Sequence, residues 1–163
     1  MKLPVSLAAA LFTGFACTAA HAVTDAVTIN VSGTLTRPPC TLTSSKTLTA
    51  NFGNVRYDQI ASAPMIDIPV TLTCPPNSSL SVSIQARQLV SGSTTQGWAG
   101  RDYLGYYLYL NSDNSVLNLS GVKRTLNNQS GAVDLSMKMK LNAFGAVSEG
   151  AFSSSAVMSI EYL

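Results

Sequence analysis

The side chains able to do chemistry are few in this chain, and they are spaced too far apart to form an apparatus. His21 is the single histidine, and it stands inside an N-terminal stretch that reads as an export signal. Cleavage there removes the base that a Ser-His-Asp or Cys-His arrangement needs. Asp58 with Asp67, or Asp102 with Asp113, are the pairs a glycoside hydrolase would want, but scattered acids in turns are the ordinary reading. Asn111-Ser112-Asp113-Asn114 offers oxygen ligands to calcium, yet no run of acids surrounds it, and it reads as a hairpin turn. Gly53 and Gly105 are isolated and make no phosphate loop. Trp98 with Tyr103, Tyr106, Tyr107 and Tyr109 could stack on a sugar. Alternation assigns Tyr106 to a core and the others to the opposite face of one strand. No catalytic residue, cofactor or metal ligand is expected.

Cys40 and Cys74 are the exception. The first residues read as a signal peptide: Lys2 is the positive head and Leu3 to Ala16 is apolar apart from Ser6 and Thr13. Ala20-His21-Ala22 then has the small-x-small pattern of a cleavage site. Cys17 raises a lipoprotein alternative, which bulky Phe15 beside Ala16 disfavours. Cleavage after Ala22 leaves residues 23–163, or 163 − 22 = 141 residues, with two cysteines. An even count in an exported chain predicts a Cys40–Cys74 disulfide. Closing 74 − 40 = 34 positions stabilises a fold by about 3–4 kcal/mol on the chain-entropy model.

The mature chain is the size of one domain. Removing Lys2 from ten basic residues leaves nine against eight acidic, a net charge of +1. Charged residues are only 11% of the chain, with no basic cluster, so nucleic acid and an anionic membrane are not expected partners. The apolar run of the signal is too short to span a bilayer, and no other stretch is longer, so direct membrane insertion is not expected either.

The elements read as strands throughout. Val27, Ile29, Val31 and Leu35 alternate with polar residues, Gly33 falls on their apolar face, and Arg37-Pro38-Pro39 stops the ladder. Leu48 to Phe52 is a short candidate. Ile66, Ile68, Val70, Leu72 and Cys74 share one face of the next strand, Pro69 marks an edge or bulge, and Pro75-Pro76-Asn77 makes a turn. Leu80 to Ala86 alternates again, and Ser91 to Gly100 reads as a surface loop. Tyr103 to Leu110 follows, then a short return over Val116–Leu119. Val133 to Ala143 reads as one strand, and Phe152, Ala156, Met158, Ile160 and Tyr162 share the face of the last. Seven or more short strands separated by turn residues predict an all-β two-sheet sandwich.

Two features stand apart. The final strand's apolar face runs to within one residue of the C-terminus, with no following strand to cover it. Residues 23–36 are patterned as a strand but set apart by the prolines. That segment is either strand A of its own sheet or a free arm that adds a strand to a neighbour. A spare strand and a missing strand in one chain would join copies head to tail without closure, which makes a fibre.

These residues resemble the chaperone–usher pilus subunits. The likeness is carried by Val27-Thr28-Ile29-Asn30-Val31-Ser32-Gly33-Thr34-Leu35 ahead of Pro38-Pro39-Cys40, and by Asn51-Phe52-Gly53-Asn54-Val55. Pro69-Val70-Thr71-Leu72-Thr73-Cys74, Gly150-Ala151-Phe152 and the penultimate Tyr162 complete it. The N-terminal half is most similar to minor tip subunits and adaptors of P-type and type 1 pili. The resemblance implies an incomplete immunoglobulin-like β-sandwich lacking its last strand. Residues 1–22 would be the signal, 23–36 a donor-strand extension and 37–163 the pilin domain. It implies that Val27, Ile29, Val31, Gly33 and Leu35 fill a neighbour's groove. Phe152, Ala156, Met158, Ile160, Tyr162 and Leu163 would form this chain's own acceptor and chaperone-binding surface. The implied partners are neighbouring pilin subunits, a periplasmic fimbrial chaperone that anchors the Leu163 carboxylate, and an outer-membrane usher. The chain would travel through the periplasm to a surface fimbrium and serve in cell adhesion. Asp25, on the face of Val27, departs from an all-apolar arm, because a carboxylate in an apolar pocket is costly. A self-contained, lectin-like adhesin with a closed sandwich is the competing reading.

Overall fold

Branched and aromatic residues alternating with Ser, Thr and Asn produce eight strands among the described residues. The computed structural model describes residues 25–36 and 38–163, so the signal-peptide expectation lies outside the described residues. The chain divides into two units, residues 1–35 and 36–163.

In the first unit, residues 25–35 carry no strand and every one is exposed. Val27, Ile29, Val31 and Leu35 are 81–103% exposed, so the alternation read from the sequence has no ladder within its own described chain.

The second unit is a sandwich of two four-stranded sheets. One holds β1 (Thr41–Leu42), β3 (Thr71–Ala86) and β6 (Arg124–Asp134), with β8 (Ala156–Tyr162) also on β3. The other runs β2 (Ile66–Ile68), β7 (Met137–Ala143), β5 (Leu104–Leu110), β4 (Gly97–Arg101). A short 3-10 helix, Tyr57–Ser62, buries Ile60. Leu72, Leu80 and Leu119 are fully buried between the layers. The disulfide joins Cys40 to Cys74, both buried, as expected.

The strand boundaries depart from the sequence reading at several places, each for a physical reason. The run Ile66 to Cys74 is two strands: Ile66–Ile68 pairs with β7, and the chain then crosses to the other sheet, with Pro69 in the crossing. Pro75-Pro76-Asn77 is not a reversal but a bulge inside β3, which keeps β6 as partner on both sides of it. Asn77 takes a left-handed φ of 59°, and the Ser78 hydroxyl donates to the Pro75 carbonyl at 2.7 Å. Likewise Val133 to Ala143 is divided between β6 and β7, and the switch at Leu135-Ser136 is pinned by the Val70 N–H donating to Ser136 Oγ. Ser91–Gly100 is only partly loop, since Gly97–Arg101 is β4. Residues 48–52 form no strand. Val116–Leu119 returns along β5 through an isolated bridge rather than as a strand, the Leu117 N–H donating to the Leu108 carbonyl at 2.8 Å.

A candidate strand-accepting groove

β8 is the element that matters. It pairs with β3 from Leu80↔Tyr162 to Ala86↔Ala156, and among the described residues no strand pairs with its other edge. Its inward side chains Met158 and Ile160 reach the core but stay half-buried. Its outward side is solvated, and Glu161 pairs with Lys123 at 2.7 Å. An open edge beside half-covered apolar side chains is the arrangement that invites another strand.

Beside that edge runs a groove of about 650 Å³. One wall is residues 152–158 and 160, and the other is Leu42 at the end of β1 with the strandless segment that follows, around Leu48 and Phe52. Phe52 and Phe152 face each other across it, ring centroids 6.4 Å apart. The floor is Ile68, Val70, Ile84, Leu108, Met137, Met139 and Leu141, which are inward positions of four strands and of the crossing between β2 and β3. Past Phe152 the space continues into a second cavity of about 360 Å³, which shares Phe152 and Leu141 with the groove.

Tyr106 lies on the floor by virtue of close packing. A Cβ at Gly97 would overlap the Tyr106 ring, so only glycine lets β4 pass over it. Burial pushes the Tyr106 phenol above the ordinary tyrosine value, more than the nearby Ser154 hydroxyl lowers it. The contact with Ser154 falls short of hydrogen-bond geometry, which leaves the phenolic oxygen buried and unpaired.

Of the six residues expected at this surface, Phe152, Ala156, Met158 and Ile160 come together on the wall. Tyr162 and Leu163 lie beyond it, largely exposed, with the Leu163 N–H donating to the Ser79 carbonyl at 2.9 Å. The sequence does not mark the opposite wall: Ser44 to Thr47 is polar throughout, and the alternation of Leu48, Ala50 and Phe52 reads as a strand of the sandwich rather than as the rim of a groove.

The other candidate chemistries dissolve into local structure. Asp58 is bonded to Arg56 at 2.6 Å, which holds its carboxyl below the usual range. Asp113 accepts from the N–H and hydroxyl of Ser115 at 2.9 and 2.7 Å, an ordinary turn that likewise depresses its carboxyl. Tyr107 and Tyr109 meet on the outer face of β5 with their rings inclined by 57°, 6.3 Å between centroids. Tyr103 instead meets Phe144 at 5.9 Å, edge-on.

The sequence matches the model of the Spore Coat Protein U domain over residues 16–159, nearly its whole length. The chain belongs to that family. It is a chaperone–usher fimbrial family, made up of structural subunits rather than enzymes. No curated protein matches the sequence. Among solved structures, the P pilus rod subunit PapA is similar at 18% identity and TM-score 0.61, over 77% of this chain and 100% of that one. The P pilus adaptor subunit PapF is similar at 19% and 0.57, over 77% and 97%. A subunit of an assembled chaperone–usher pilus is similar at 15% and 0.63, over 89% and 100%. At these identities the likeness is one of fold, and it is an immunoglobulin-like pilin fold.

Proposed function

We propose that this chain is a fimbrial subunit that accepts a strand from one neighbour and lends residues 23–36 to the next. The observation that carries this is the open edge of β8 along an apolar groove, in a chain whose own N-terminal apolar side chains are exposed. Val27, Ile29, Val31 and Leu35 would enter a neighbour's groove, and Gly33 would let the backbone lie close where a pocket is shallow. Burying four such side chains contributes roughly 6–12 kcal/mol before the costs of association. The backbone hydrogen bonds of an added strand supply the rest.

Before assembly the groove needs a temporary occupant. A periplasmic chaperone would supply one and hold Tyr162 and the Leu163 carboxylate, which stand outside the groove at the end of β8. Exchange of that strand for a subunit's arm at an outer-membrane usher would extend the fibre without ATP and deliver it to the cell surface. The N-terminal resemblance supports a minor or adaptor position within the fibre. Deleting residues 23–36 tests the mechanism: the truncated chain should still load onto a chaperone but fail to extend a chain of subunits. Extension without the arm would overturn the reading.

A further inference from the structure

We propose that the outer face of the sheet β2-β7-β5-β4 binds a sparsely carboxylated glycan. Alternation turns Leu104, Tyr106, Leu108, Met137 and Leu141 into the core, so the residues between them face outward. There Tyr107 stands directly across from Lys140, and Tyr109 across from Lys138. On the next strand Trp98 stands across from Gly105. The three aromatic side chains are half-buried, so part of each stays in water. Rings with an apolar body and a polar tip suit a sugar, whose surface is likewise part apolar and part hydroxyl. Neither lysine has an ion-pair or hydrogen-bond partner among the described residues. Asp67, across from Lys138 on β2, is the one acid at these paired positions, and it forms no ion pair either. Two cations against one acid suit a chain with few carboxylates rather than a dense polyanion.

A second observation lies on the same face. Gln96 is only 6% exposed, and a Cβ on Gly105 would stand 2.6 Å from its Nε2. The bare backbone of Gly105 thus lets the Gln96 amide lie on the outer surface of the sheet. Its Oε1 accepts from the Tyr107 hydroxyl at 3.2 Å, while its Nε2 has no hydrogen-bond partner among the described residues. Buried amide donors are almost always paired. An acceptor oxygen of a sugar, settling over Gly105 as the side chains shift to admit it, supplies the missing partner. From Trp98 across β5 to Lys140 is two strand spacings, roughly 10 Å, and Gly105 to Tyr109 is roughly 13 Å along the strand. That is room for a short oligosaccharide, its carboxylate reaching the lysines. The groove floor is made by the inward side chains of β5 and β7, so this face lies on the other side of the sheet. It stays open whatever fills the groove, and the proposal does not depend on strand exchange.

The test titrates the mature chain, residues 23–163, in whichever form is soluble, alone or held by a fimbrial chaperone. The probes are a hyaluronan octasaccharide, which is sparsely carboxylated, and neutral maltooctaose, followed by calorimetry with the chaperone as blank. Hyaluronan should bind, and maltooctaose should bind at least about tenfold more weakly. Replacing both lysines, Lys138→Gln with Lys140→Gln, should weaken hyaluronan binding by about five- to tenfold, a loss that shrinks as salt is added. Asp67→Asn should tighten it by about twofold, which loss of a merely structural contact would not do. These three side chains point away from the core, so the variants should fold. Equal affinity for the two sugars, or hyaluronan binding that ignores the lysines, overturns the carboxylate reading. A heparin octasaccharide that binds Tyr109→Ala as well as wild type, with hyaluronan equally indifferent to that change, overturns the aromatic platform. Binding of neither sugar overturns the site.

Discussion

Breaking the Cys40–Cys74 bond should cost this sandwich a large share of its stability. The bond joins the start of β1 to β3 across 34 positions. On the chain-entropy model a loop of that length gives about 12.6 cal/mol/K, or about 3.8 kcal/mol at 25 °C. The ladder it reinforces is short, only Thr41↔Thr73 and Leu42↔Leu72, so little else holds this edge. A typical domain has about 5–15 kcal/mol in all. Both sulfurs are buried, so alanine is the better replacement, avoiding an unpaired hydroxyl. Urea unfolding of the oxidised sandwich completed by a donor strand fused after Leu163, and of its Cys40→Ala/Cys74→Ala variant, followed by Trp98 fluorescence, should differ by about 3–4 kcal/mol. Without the fused strand, the variant should also lose chaperone binding before it unfolds globally, because the segment after Cys40 forms one wall of the groove. A difference below about 1 kcal/mol, with groove binding intact, would refute the reasoning.

Two further outcomes follow from the geometry. Gly97→Ala should lower stability by about 1–3 kcal/mol, since its methyl must displace the Tyr106 ring; a calorimetric Tm unchanged from wild type would contradict that packing. Asp58, Asp113 and Asp134 are all held below the usual carboxylate range, by Arg56, Ser115 and Ser136 respectively. Depressed folded values give stability that is present above the unfolded value of about 3.9 and lost as pH falls through the folded ones. The urea midpoint should therefore hold steady from pH 7 to 5 and drop below about pH 4, and a rise on acidification would reverse the sign of the argument.

What the sequence reveals is the side-chain period, and what it hides is pairing carried by backbone alone. The inward faces of β5 and β7 were legible because Leu104, Tyr106, Leu108, Met137 and Leu141 are apolar against polar neighbours, and all five are buried. β6 escaped notice because Arg124 to Ala132 is polar and mostly exposed on both faces, so no burial shapes its sequence. β4 was hidden by glycines that permit close packing rather than supply it. Proline misled twice, at Pro69 and at Pro75-Pro76. It marks the loss of one hydrogen bond, and the chain around it can cross between sheets or bulge as readily as turn. Half of the groove, the β8 side, follows from alternation in Phe152–Ile160. The other wall is set by where the disulfide and the Thr71 contacts hold residues 40–44, which no local pattern encodes.

The most direct test of the central claim is the size and thermal unfolding of oxidised residues 23–163, alone and with a fimbrial chaperone. An incomplete sandwich predicts an unstable, aggregated or polymeric protein that the chaperone converts into a soluble one-to-one complex. A lone monomer with a sharp, cooperative melt that the chaperone leaves unchanged would mean that the sandwich is already closed.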